Sequence, residues 1–162
     1  MAQTNIYLKL QGVDGESMDQ DHKDWIEVES FTWGVDNPAS FAIGQGGQAT
    51  QAHVAALALQ KRCDKSSVTL FKDCTTGKHI PKGTVSCMKL DGDSRVEYLK
   101  IDLTDIMVSA FKWAGSGGDQ IVNEHVSLVF AEFKESYKMQ QDVGSAGGNT
   151  DFGYNVQTSK AT

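Results

Sequence analysis

Four histidines, three cysteines and a serine set among glycines are the residues of this chain that invite a search for chemistry. Gly115-Ser116-Gly117-Gly118 lacks the Gly-x-Ser-x-Gly order of a nucleophile elbow and joins two strand-like runs, so a hairpin loop is expected there. His22, His53, His79 and His125 each lack a second histidine or cysteine at metal-ligand spacing. His79 follows a helix-stopping Gly77 and is expected to bond the last carbonyls of that helix. Glu124-His125 has the composition of an acid–base pair, although cross-strand polar pairing is the ordinary use of such residues in a strand. Cys63, Cys74 and Cys87 are odd in number and spaced eleven and thirteen apart, neither a disulfide framework nor a zinc pattern, and read as buried small apolar residues. Gly44-Gln45-Gly46-Gly47 precedes no helix, so it has no terminus on which to cradle a phosphate. Asp19, Asp21 and Asp24 lack the glycine and closing glutamate of a calcium loop and read as a solvated acidic turn. The expectation is a chain without catalytic residues, metal or cofactor.

The elements that carry these residues are mostly strands. Two runs, 95–113 and 121–137, flank a Gly-rich hinge, and nineteen extended residues span about 60 Å, far more than a small domain is wide. Such strands must bend. In the first run the apolar positions pass from Leu99, Ile101 and Leu103 to Ile106, Val108 and Ala110, a parity change that requires a bulge near Thr104-Asp105. In the second, Val126, Leu128 and Phe130 give way to Ala131, Phe133 and Tyr137. Paired bulged strands are how a sheet curls, so a small closed barrel of antiparallel strands is predicted. Further strands are expected at Ile6, Leu8 and Leu10, at 25–34, at 53–61 and at 84–90. Residues 64–76 change period: Asp64 or Ser66 can cap a short flanking helix with Val68, Phe71 and Thr75 on one side, Leu70 and Cys74 beside them, and Gly77 as its stop. Residues 36–50 form a long extended arm of small residues carrying Phe41 and Ile43. The tail 143–162 is flexible in composition, with 152–156 apolar enough to dock.

Composition narrows the partners. At 162 residues the chain is one domain able to bury a core unaided. Fifteen basic against twenty-one acidic residues give a net charge of −6, the wrong sign for nucleic acid. A mean hydropathy of −0.35 and the lack of an apolar run near 18 residues argue against a membrane span. The start Met1-Ala2-Gln3-Thr4-Asn5 shows no basic n-region or apolar h-region, so a soluble cytosolic product is expected, exported only by another route.

Several motifs in order bear a family resemblance. Val13-Asp14-Gly15-Glu16-Ser17, Phe31-Thr32-Trp33-Gly34, Asp64-Lys65-Ser66-Ser67, Gly77-Lys78-His79-Ile80-Pro81, Val96-Glu97-Tyr98-Leu99 with Val108-Ser109, Ser116-Gly117-Gly118, Glu124-His125-Val126-Ser127-Leu128 and Gly153-Tyr154-Asn155 are spaced as in the Hcp family. The chain thus resembles, nearly end to end, the haemolysin-coregulated proteins of bacterial type VI secretion systems.

That resemblance implies a β barrel with a helix on its flank, six-membered rings, stacks of rings forming the inner tube of an injection machine, and effector proteins bound in the lumen. Spike and sheath proteins of the apparatus would be further partners, and the role structural. By position Thr32, with Ser30 beside it, faces the lumen, and alternation turns Thr32 away from Phe31 and Trp33. Ring contacts are expected from the arm, at Phe41, Ile43, Gly44, Gly46 and Gly47, and from the turn Asp91-Gly92-Asp93. Two rivals stay open on the residues alone: a monomeric ligand-binding barrel, which the bulky inward side chains disfavour, and a hydrolase using Ser116 with His79 or His125.

Overall fold

The structure, a computed structural model, describes residues 4–41, 47, 50–139 and 148–162. In chain order its elements are β1 (Asn5–Leu10), β2 (Ile26–Val28), β3 (Ser30–Thr32), β4 (Val35–Asp36), β5 (His53–Val54), β6 (Leu57–Arg62), α1 (Ser67–Thr76), β7 (His79–Asp91), β8 (Ser94–Ala114), β9 (Asn123–Lys138), β10 (Asn149–Asn155) and β11 (Lys160–Ala161). All pairings are antiparallel, as hairpin-connected strands allow.

The long strands arise where the sequence alternates. β7, β8 and β9 run 13, 21 and 16 residues and form the centre of one sheet ordered β11-β10-β9-β8-β7-β1-β2. β9 is a branch point: its residues 123–128 pair with β6, and 132–138 with β10. The predicted strand 25–34 is broken instead into β2 and β3, with β4 following it at Val35. β2 pairs with β1 and β3 with β6, while Glu29 between them gives its N–H to Gln60 O at 2.8 Å. The sheet therefore curls until one chain segment links its two sides. Among the described residues its ladders do not run unbroken around a closed barrel, because that segment exchanges one neighbour for the other at Glu29.

Parity changes fall where apolar alternation shifts. Leu103 and Ile106 are both buried, and Asp105 between them takes a positive φ of 53°. Asp105 stands opposite Pro81, which has no N–H to give to the ladder. Its carboxylate meets His79 Nδ1 at 2.6 Å, so His79 pairs with the bend in β8 and not with helix carbonyls. Further register shifts leave Tyr98 and Ser109 as extra residues. Phe130 and Phe133 mark the corresponding change in β9. The interior is filled by large side chains, Leu8, Leu10, Ile26, Leu57, Ile80, Leu103, Ile106 and Leu128 among them, so the core is solid.

The helix is three residues shorter at its start than 64–76. Ser66 holds the N-cap position and Asp64 Oδ1 accepts from the Ser66 N–H at 2.9 Å. Gly77 ends it in the left-handed region at φ 65°, where a side chain is strained. Its buried residues are Ser67, Leu70 and Asp73, whereas the side carrying Val68 and Phe71 faces outward, these two being 71% and 50% exposed. Cys87 is buried, but Cys63 and Cys74 are only half-buried.

Candidate functional site

Register places the sequence-predicted Ser30 and Thr32 on one broad face. Ser30 stands beside Gln60, Gln60 beside His125, and His125 beside Lys112. Thr32 continues in the same way through Ala58 and Ser127 to Ala110. Two rows of small and polar side chains thus cross β3, β6, β9 and β8, a width of about 14 Å at ordinary strand spacing. Ser30, Thr32, Ala58, His125 and Lys112 are exposed, while Leu57, Leu59, Val126 and Leu128 alternate inward. At the bulge Ser109 Oγ donates to Ser127 O at 3.2 Å and closes the ladder defect. Sequence reading named Thr32 and Ser30 but not Gln60, Lys112 or Ser127. Alternation within each strand was visible; the register that aligns the strands was not.

Below this face lies a buried ion pair. Lys61 Nζ meets Glu124 Oε2 at 2.5 Å and Asp64 Oδ1 at 2.9 Å, and donates to Arg62 O and to Ser67 Oγ. Lys61 and Glu124 are fully buried, and Glu124 Oε1 has no partner among the described residues. This cluster ties β6, β9 and the start of α1 together. It leaves Glu124 unable to serve as an acid–base partner for His125, whose ring is turned to the opposite side of the strand.

The remaining chemical candidates are dispersed. Ser116 sits in the exposed β8–β9 turn, where its carbonyl accepts from the Asp119 N–H at 3.0 Å. The structure instead assembles an Asp-His-Ser series that sequence reasoning missed. His22 Nδ1 meets Asp19 Oδ1 at 3.0 Å and its Nε2 meets Ser86 Oγ at 3.0 Å. The connectivity is that of a nucleophile triad, but Ser86 is fully buried in mid-strand between β1 and β8, and its hydroxyl already donates to Glu97. A buried serine committed to a carboxylate is a structural group. Arg95 and Tyr7 complete the network on Asp19, and the His22 ring stacks on Tyr7 at 4.4 Å. Asp19 is therefore not a solvated turn residue. Burial alone would raise its carboxyl, but hydrogen bonds from His22, Arg95, the Asp21 N–H and Tyr7 hold it well below the ordinary carboxylate range. Among the described residues no group of three or more His, Cys, Asp and Glu is placed to hold a metal ion.

The expected contact residues divide between described and undescribed segments. Ile43, Gly44 and Gly46 lie outside the described residues. Phe41 is 88% exposed, and its ring packs so closely on Gly47 that a Cβ there would fall 2.3 Å from Phe41 Cε1. Gly92, at φ 60°, is the first central residue of the two-residue turn between β7 and β8, with Asp91 opposite Ser94 and Asp93 exposed. The arm starts from the β4–β5 ladder, in which Val35 pairs with Val54 and Asp36 with His53.

Comparison with known proteins places this geometry. The profile described as "Type VI secretion system effector, Hcp" matches residues 7–137. Protein hcp1 of Pseudomonas aeruginosa is 35% identical over 154 residues, covering 94% of this chain and 95% of that protein. A solved structure titled as a type six secretion system protein superposes with a TM-score of 0.92 at 31% identity, covering 99% of this chain and 100% of that one. Hcp1 from Salmonella typhimurium matches with a TM-score of 0.82 at 35% identity over the full length of both chains. The chain belongs to the Hcp family of type VI secretion system proteins.

Proposed function

We propose that this chain is a tube subunit: six copies close into a ring, rings stack, and effector proteins are carried in the lumen. On this reading it is made in a bacterial cytoplasm, engages spike and sheath proteins of the apparatus, and is exported by it. The observation that carries the proposal is the exposed face built on Ser30-Gln60-His125-Lys112 and Thr32-Ala58-Ser127-Ala110. A long strand ribbon, apolar on one side and small and polar on the other, suits the wall of a water-filled channel. Thr32 and Ser30 then point at cargo. Phe41 on its arm and the Gly92-Asp93 turn supply contacts between rings, since both project exposed groups from the ends of ladders.

Light scattering during size exclusion, followed by negative-stain electron microscopy, tests the assembly. Rings of six 17.6 kDa subunits are expected. Solitary particles at every concentration refute it. Thr32→Trp should leave rings intact and reduce co-purification of effectors, because it fills the face without touching the core. Phe41→Asp should weaken stacking while the subunit stays folded.

A further inference from the structure

The helix presents an apolar stripe to solvent. Val68, Phe71, Lys72 and Thr75 stand at i, i+3, i+4 and i+7, one face of α1, and all four are exposed. Phe71 meets Phe111 at 5.6 Å and Trp113 at 6.0 Å between ring centroids, and Trp113 is itself half-exposed. Three mutually packed rings plus Val68 make a convex aromatic knob at the hinge end of the β8–β9 ribbon. A helix that turns its valine and phenylalanine outward while burying Asp73 has an apolar surface that the monomer leaves unused.

A complementary hollow lies elsewhere on the same chain. Trp33, Val35, Val54, Phe133, Phe152 and Tyr154 line a cleft of about 340 Å³, and Glu135 is the one charged residue in its lining among those described. Trp113 is level with Glu124 in the β8–β9 register, and Phe133 lies nine residues further along β9. Knob and cleft are therefore separated by roughly 30 Å of strand. Separate, non-overlapping apolar patches on one subunit, one protruding and one hollow, are what a head-to-tail contact requires. Charge agrees: Lys72 on the knob and Glu135 in the cleft have no ion-pair partner among the described residues.

We propose that the Val68-Phe71-Trp113 knob of one copy seats in the Trp33-Phe133-Phe152 cleft of the next, with Lys72 against Glu135. The inference rests on the ring reading above and identifies the surfaces that close the ring. It makes the exposed stripe of α1 a subunit contact and leaves the Thr32 face free for cargo.

Two variants test it by complementation. A knob variant, Phe71→Glu with Trp113→Glu, and a cleft variant, Val35→Glu with Phe152→Glu, alter exposed positions outside the buried core. Each alone should be monomeric by light scattering. Their equimolar mixture retains one sound knob and one sound cleft, so it should yield dimers of twice 17.6 kDa and nothing larger. Charge reversal provides a second route that spares the packing. Lys72→Glu and Glu135→Lys should each weaken assembly about tenfold, and the double variant should restore it. Variants that assemble like the parent, a mixture that stays monomeric, or a double reversal that rescues nothing would overturn the contact while the parent's rings still stand. A parent that is monomeric at every concentration would defeat the ring reading itself.

Discussion

Breaking the Lys61–Glu124 pair should be among the costliest polar substitutions in the chain. Both side chains are fully buried, 2.5 Å apart, and the lysine is shared with Asp64, whose side chain is 12% exposed. Glu124→Gln keeps the shape but removes the fully buried partner of the ammonium and leaves it to the less buried Asp64, and breaking a buried pair by removing one partner costs about 3–5 kcal/mol. Lys61→Met strands two carboxylates at once, one of which already has an unpartnered Oε1, so its cost should exceed that of Glu124→Gln. For a domain of this size each kcal/mol moves Tm by about 2–4 °C, which gives a drop of about 6–20 °C. The double variant Lys61→Met/Glu124→Leu removes both charges and should recover much of the loss, because well-packed apolar groups commonly replace a buried pair without penalty. Asp64 sets the remainder, having lost its partner. Urea unfolding at one fixed protein concentration measures all four proteins, since assembly would otherwise change the apparent stability. Single variants costing under about 1 kcal/mol, as an exposed pair would, refute the reasoning.

Three other outcomes follow from the structure. Asp19 is depressed below its ordinary 3.8 when folded, so its stabilisation is complete above that value and is lost as pH falls through the lower folded value. Urea midpoints of the parent should therefore fall below about pH 4 more steeply than those of Asp19→Asn; parallel profiles would contradict the Arg95-His22-Asp19 network. Burial, helped by the charge of Glu97, pushes the Cys87 thiol up to about 11, so at pH 8 a disulfide reagent should label Cys63 and Cys74 first and reach Cys87 only on unfolding. Equal labelling rates for all three would count against it. The exposed Asp93 at the β7–β8 turn should oppose stacking at low salt, so filaments should increase with added salt or in Asp93→Asn, and filaments that dissolve as salt rises would exclude that role.

What the residues determined by themselves is local. Alternation in 95–113 and 121–137 announced the long strands, and the displaced apolar parity around Thr104-Asp105 announced the bend at Asp105. Gly77 marked the helix end because only glycine takes a left-handed φ there without strain. Thr32 was legible as a residue turned away from Phe31 and Trp33, since side-chain direction reverses at each step along a strand. Tertiary pairing decided the rest. Which side of α1 is covered depended on where β8 lies, and it covers Leu70 and Asp73 instead of Val68 and Phe71. The break at Glu29, the branching of β9, the meeting of Lys61 with Glu124 and the junction of Asp19, His22 and Ser86 all join residues distant in sequence. Hydrophobic periodicity says that a face will be buried but not by what, because the covering surface belongs to another part of the chain or to another copy of it.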